Sequence, residues 1–294
     1  MITVTVLTVL FTFASMTRAA HAPVGLGTAD TFAVLGGATV TNTGPTVISG
    51  DLGVSPGSAV TGFPPGLVNN GSIHAANAVA TQAQSDLTTA YNDAAGRTCT
   101  SNLTGIDLGT QTLTDGTYCF SSSAQLTGTL TLDGQDNPNA VFIFQIGSTL
   151  ATASASTVSL INGAQACNVY WQVGSSAVLG TTTTFRGSIL ALTSISLNTG
   201  ATIVEGRALA RNGAVTLDTN TITRDTCRTA APAPTAAPTT APTATPAPVT
   251  AVPNTGVAET IDAGGDKLIL VGIAAGLVGL FALTLLRRQF VRGP

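Results

Sequence analysis

The chain predicts a mainly β protein, a β-solenoid with one long α-helix packed alongside. Three observations carry this: a strand-like repeat near 20 residues, one Ala-rich segment with helical periodicity, and Gly, Asn and Asp at regular breaks.

The repeat is clearest between 175 and 226. Thr183-Thr-Phe-Arg-Gly187 lies over Thr202-Ile-Val-Glu-Gly206 at a step of 19, and one more step reaches Thr221-Ile-Thr223. Earlier, Phe144-Gln-Ile-Gly-Ser148 and Trp171-Gln-Val-Gly-Ser175 are one phrase 27 residues apart, which brings Ser154-Ala-Ser156 under Thr181-Thr-Thr183. Thr43-Gly-Pro-Thr-Val-Ile-Ser-Gly50 returns as Thr199-Gly-Ala-Thr-Ile-Val-Glu-Gly206, matching Thr46 with Thr202 and Gly50 with Gly206. Between these anchors Val, Ile, Leu, Thr and Ser alternate, which suits strands and not a helix. One such coil cannot bury its own inner face, so coils must stack. Val141, Ile143, Val169, Trp171, Ile189, Ile195 and Leu197 are expected to fill the bore.

Residues 73–95 depart from the pattern. They lack Gly and Pro, and Ile73, Ala76, Ala80, Ala83, Leu87, Ala90 and Tyr91 form one apolar stripe, predicting a helix that Gly96 ends.

The ends read as targeting segments. Residues 1–22 are an apolar run reaching Ala20-His-Ala22, a secretory-signal pattern without the usual basic start. Residues 229–256 are a Pro/Thr/Ala-rich stalk suited to extended polyproline II. The stalk closes on Val252-Pro-Asn-Thr-Gly256, which resembles a Leu-Pro-x-Thr-Gly sorting signal with Val for Leu. That resemblance implies cleavage between Thr255 and Gly256 by a sortase and attachment to the cell wall. Residues 257–294 hold an uncharged stretch, Leu268 to Leu286, long enough for a C-terminal transmembrane helix. Arg287, Arg288 and Arg292 follow it, giving a basic cytoplasmic tail. Either mode of attachment displays the protein outside the cell, and 23–228 is left as the working domain.

That domain excludes several function classes. Eleven acidic residues against five arginines between 24 and 226 leave a net charge near −6, so nucleic acid is a poor partner. Cys99, Cys119, Cys167 and Cys227 lack zinc spacing; an even count in an exported domain suggests two disulfides, with three connectivities open. Asp133 and Asp136 sit in turn chemistry, and past the signal His74 is the one histidine, assigned to the helix. No catalytic residues, metal site or cofactor follow, and the chain reads as a non-enzyme.

Residues 26–63, the Ala-rich helix, Asn139 to Leu150, Val169 to Thr181 and Gly206 to Thr223 resemble the microbial ice-binding (antifreeze) proteins of the DUF3494 type. The resemblance spans 24–226. It implies a discontinuous right-handed β-solenoid of triangular cross-section, with the N-terminal coil closing next to the C-terminal coil and an ice surface as the partner. It also implies a cap over 97–125 pinned by Cys99–Cys119, and a Cys167–Cys227 bridge tying the last segment to a core strand. Thr43-Gly-Pro-Thr46 and Thr199-Gly-Ala-Thr202 match the family's Thr-(Ala/Gly)-x-(Thr/Asn) motif.

If i and i+2 on each strand share a side, Ser154/Ser156, Thr181/Thr183, Gly200/Thr202, Thr219/Thr221 and Gly44/Thr46 point outward. Ala155, Thr182, Ala201, Asn220 and Pro45 then point inward or edge-on. The candidate ice-binding set is Thr43, Thr46, Ser154, Ser156, Thr181, Thr183, Thr199, Thr202, Thr219 and Thr221. The rival reading is a surface adhesin or polysaccharide-binding module, which the stalk and anchor would serve equally.

Overall fold

Parallel strands stack into three ladders that wrap one apolar bore. The computed structural model describes residues 21–224 and Cys227. The stalk, the sorting-like motif with Thr255 and Gly256, the C-terminal apolar stretch and all but the last two residues of the signal-like segment lie outside the described residues.

The first ladder, the helix face, runs Ile73–Ala75, Asp51–Val54, Phe32–Gly36, the second halves of Thr202–Ala210 and Thr184–Ala191, Val169–Val173, Phe142–Ile146, Gly116–Phe120 and Ser101–Asn102. The second, the threonine face, runs Leu67–Asn69, Val47–Ser49, Thr221–Thr223, the first halves of Thr202–Ala210 and Thr184–Ala191, Thr157–Ile161, Thr129–Asp133 and Thr112–Leu113. The third face runs Ala124–Leu126, Leu150–Thr152, Ala177–Leu179, Ile195–Leu197, Val215–Asp218, Thr39–Thr43 and Ala59–Thr61.

The coil order is discontinuous, as expected from the resemblance. The N-terminal coil sits against the last one: Val34 pairs with Ala208, Val40 with Val215, and Val47 with Thr221. Phe144 faces Trp171 and Gln145 faces Gln172 in register, so the 27-residue phrase marks adjacent coils. In the bore Tyr118, Phe144, Trp171 and Phe185 stack in a row, with Phe144 and Trp171 nearly parallel at 3.9 Å between centroids. The Trp171 indole N–H donates to the Arg186 carbonyl at 3.0 Å, so its one polar atom is satisfied inside the core.

Val169, Trp171, Ile189, Ile195 and Leu197 fill the bore as expected, but Val141 and Ile143 do not. Phe142 and Phe144 take the inner side, and Val141 and Ile143 turn outward under the helix. The middle of this ladder is packed on both sides, so apolar residues face both ways along its strands and alternation cannot say which side is inner.

α1 spans Ala78–Gly96, starting later than the expected 73. Ile73, His74 and Ala75 extend the helix face instead, pairing with Leu52, Gly53 and Val54. His74 therefore lies on a strand, 3.7 Å from Asp51 and 3.1 Å from Asn77. Asn77 is the actual start signal: its side chain accepts from the Ala80 N–H at 3.0 Å. Ala80, Ala83, Leu87, Ala90, Tyr91 and Ala94 are buried. At the other end Gln145 donates to the carbonyls of Ala94 and Arg97 at 2.8 and 2.7 Å, satisfying groups the last turn leaves free.

The helix carries the chain from one end of the stack toward the other. Its 19 residues span about 28 Å, and the six ladder steps from Ile73–Ala75 to Phe142–Ile146 span about 29 Å. Beyond it, Gly116–Phe120 and Ala124–Leu126 are ordinary coil strands, so the expected cap over 97–125 shrinks to the half-coil before residue 116. Cys99–Cys119 ties that half-coil to Gly116–Phe120, and Cys167–Cys227 is the second bridge.

At the N-terminal turn Gly27–Thr31, Thr28 donates to the Asp86 carboxylate through its N–H and hydroxyl, each at 2.7 Å. A Cβ at Gly27, where φ is +55°, would lie 2.6 Å from that carboxylate. The Thr28 hydroxyl bond, then its N–H, hold the Asp86 carboxyl below its ordinary value of 3.8. A depressed folded-state pKa gives stability that is complete above the unfolded value and lost as pH falls through the folded one. In urea titrations, Asp86→Asn should lower stability at neutral pH, and its deficit against the parent should shrink toward about pH 3. Trp171→Ala should destabilise by about 3–5 kcal/mol in the same assay, because it opens the centre of the aromatic row.

Candidate functional site

Five of the passages from the third face to the threonine face turn through one left-handed residue at the same place: Ala155, Thr182, Gly200, Thr219 and Gly44 have φ of 57°, 57°, 71°, 55° and 77°. A left-handed residue breaks strand alternation, so its two neighbours no longer share a side. The residue before it stays outside. Thr43, Ser154, Thr181 and Thr199 are exposed, and Asp218 holds the same place in its coil. After the bend the chain turns inward, at once in four coils and one residue later in the N-terminal coil, where Pro45 is exposed, contrary to expectation, and Thr46 is buried.

That geometry corrects part of the expected set. Thr46, Ser156 and Thr183 are fully buried, not outward. Their hydroxyls bond groups of the corner from inside. Thr183 bonds the Thr152 hydroxyl at 2.8 Å and the Ala153 carbonyl at 3.2 Å. Ser156 donates to the Leu126 carbonyl at 3.0 Å, and Thr46 accepts from the Asn220 N–H at 3.0 Å. Asn220, inward as expected, donates to the carbonyls of Asn198 and Ala201 at 3.0 and 2.9 Å. Ala201 is inward too, whereas Ala155 and Thr182 are exposed at the bend.

One residue past the buried position the side chains emerge again. Thr129, Thr157, Thr184, Thr202 and Thr221 pair in register across five adjacent strands, forming an unbroken threonine column about 19 Å long. Val47 and Leu67 continue it. Thr202 and Thr221 belonged to the expected set; Thr129, Thr157 and Thr184 did not. The 19-residue step placed Thr183 over Thr202, whereas the structure pairs Thr184 with Thr202 and regains Gly187 opposite Gly206 after a bulge. Glu205, at φ 57°, lies within that bulge. The signal that could have found the column was in plain view: a Thr follows each of Gly128, Ser156, Thr183, Ala201 and Asn220.

Two lines of short side chains therefore run parallel: the corner line of Thr43, Asp218, Thr199, Thr181 and Ser154, and the threonine column beside it. Thr219 sits between them at its bend, donating to Asp218 at 3.0 Å, and the Thr199 hydroxyl also donates to Asp218. Thr202 donates to the Thr183 carbonyl at 3.3 Å, which fixes its rotamer and leaves its oxygen able to accept. Farther across the face the pattern changes to charge, with Arg186 and Glu205 paired at 2.7 Å.

The other faces lack this regularity. The helix face is covered. The outward line of the third face reads Gln125, Ala151, Val178, Ser196, Thr216, Thr41 and Thr61, mixing amide, methyl and hydroxyl groups. Among the described residues, no three His, Cys, Asp or Glu side chains are grouped to hold a metal ion.

Thr183→Val should cost about 1–2 kcal/mol by thermal or urea unfolding, since it removes the Thr152 hydroxyl's side-chain partner and one of the two hydrogen bonds to the Ala153 carbonyl. Thr184→Val, one residue on, should change stability by less than about 0.5 kcal/mol.

A family model described as ice-binding-like matches residues 34–223. An ice-binding protein of Nostoc sp. (strain HG1) is 62% identical over 197 residues, covering 67% of this chain and 72% of that protein. The crystal structure of an ice-binding protein from an Antarctic biological consortium, 50% identical, matches with a TM-score of 0.68 over 72% of this chain and 96% of that one. The DUF3494 domain of Shewanella frigidimarina ice-binding protein 1 matches with a TM-score of 0.65 at 34% identity, over 70% of this chain and 99% of that domain. The shared fold and the family match across 34–223 place this chain in the ice-binding-like family.

Proposed function

We propose that the domain binds ice through the threonine column and the adjoining corner line. The observation that carries this is the column itself: five threonines in register, at the spacing of adjacent strands, on a face that no other element among the described residues covers. Each threonine presents one hydroxyl and one methyl. The methyls restrict how nearby water can orient and the hydroxyls anchor it, so a water layer ordered on the face can merge with a growing ice lattice. The β-branched side chain has few rotamers, so adsorption costs little side-chain entropy. Bound at many points, the protein would slow ice growth or recrystallisation, or hold its cell to ice.

Of the expected set, Thr202 and Thr221 belong to the column, Thr43, Ser154, Thr181 and Thr199 to the corner line, and Thr219 to the bend between them. Thr129, Thr157 and Thr184 join them, and the buried Thr46, Ser156 and Thr183 support the bend from inside. The relatives' names favour ice over the adhesin reading.

The chain's ends support export and display: a signal over 1–22, a stalk over 229–256, and an anchor through sortase cleavage at Thr255–Gly256 or a transmembrane helix within 257–294. Two disulfides in the described domain suit an oxidising compartment.

Thermal hysteresis and crystal shaping decide the site. Thr184→Tyr or Thr202→Tyr should remove most of the hysteresis with the fold intact by circular dichroism, while Thr216→Tyr on the third face should keep it. Equal loss from all three, or from none, rejects this face.

A further inference from the structure

We infer that the Cys167–Cys227 bridge is a tension bypass, which takes pull arriving from the stalk and delivers it to the middle of the solenoid, sparing the last strand. The inference rests on the reading of the domain as a displayed ice binder. In that reading the load enters behind residue 227 and is resisted at the threonine face.

The topology shows what would happen without the bridge. The last strand among the described residues is Thr221–Thr223, three residues long and held between Thr202–Ala210 and Val47–Ser49. Tension at residue 227 would fall first on that strand. Peeling it would take Thr221 off the column and then unpair Val215–Asp218, undoing the face that holds the ice.

The bridge changes the path. Cys227 is joined to Cys167, buried in the turn Ala166–Asn168 that leads directly into Val169–Val173. That strand is fully buried and paired with Phe142–Ile146 on one side and Thr184–Ala191 on the other, two coils back from Thr221–Thr223. The covalent loop so closed, a separation of 60 residues, contains Thr181, Thr184, Thr199, Thr202, Thr219 and Thr221. To loosen any of them, a pull from the stalk must strip both ends of the loop together.

The test uses the full chain, with an azide-bearing side chain at Ser196 for one handle and the C-terminus for the other, in single-molecule force spectroscopy. Ser196 lies inside the loop on the third face. With the bridge reduced, low-force peeling should release up to roughly 100 Å of chain between Ser196 and Cys227. With the bridge intact, those low-force events should be absent and the first rupture should come at a clearly higher force. Identical traces overturn the inference. So does loss of the circular dichroism signal on reduction without load, which would make the bridge an ordinary stability staple. The reduction is measured in a Cys99→Ser/Cys119→Ser parent, so that Cys167–Cys227 is the bridge being reduced. Reducing folded protein avoids relying on a Cys167 or Cys227 variant that fails to fold.

A second arm couples the full chain to a bead by its C-terminus and measures its bound lifetime on ice under load. Reduction should shorten that lifetime while unloaded hysteresis is kept, and an unchanged lifetime counts against the bypass. Failure to attach to ice in either state would instead overturn the functional reading, leaving the handle measurement to decide the mechanical one.

Discussion

Every coil here depends on being covered by another. A three-sided coil of short parallel strands has an apolar inner face and unpaired backbone groups on both edges, and both needs are met only by stacking. The chain extends this to its own first coil, which is inserted between the last coil and the one built from Asp51–Val54, Ala59–Thr61 and Leu67–Asn69. Strands far apart in sequence thereby become ladder neighbours, and α1 makes the arrangement possible by returning the chain along the outside. The helix face pays for this in sequence freedom: its strands must satisfy the bore and the helix together.

The function proposed for the threonine face depends on the corner beside it. In five coils a single left-handed residue decides which hydroxyls meet solvent and which turn inward at the corner. The motif Thr199-Gly-Ala-Thr202 shows the logic: its first residue is exposed before the bend, its third is buried, and its fourth emerges on the face. Thr43-Gly-Pro-Thr46 has the same letters with a different outcome. Its fourth residue is buried and Val47 takes the outward place, so the N-terminal coil ends the threonine column instead of extending it.

Much of the architecture was legible in the residues. Repeated phrases within 144–223 located adjacent coils, whereas Thr43–Gly50 and Thr199–Gly206 lie two coils apart with Thr221–Thr223 between them. The Ala stripe located the helix, and the apolar bore was largely recoverable. The misreadings have physical causes. Ile143 lies on a strand packed on both sides, and Val141 just before it, where alternation carries no information. Ile73 and Ala76 fit a helical stripe, yet the Asn77 cap delays the helix and leaves 73–75 free to pair. The site residues slipped by one in the coils of Ser156 and Thr183, because a constant step hides the bulge at Glu205 and strict i, i+2 alternation ignores the corner.

The near-equality of helix length and coil height has an evolutionary consequence. A further coil inserted among those the helix spans would raise the stack by about 4.8 Å, and the return helix would need roughly three more residues to keep pace. Three residues fall about 60° short of a full turn and four overshoot it by about 40°, so the larger insertion would keep Ala83, Leu87 and Ala90 nearer their original side. Growth in such a protein is therefore quantised: one coil and one helical turn together, which enlarges the outer face by one more threonine at a time without disturbing the buried stripe.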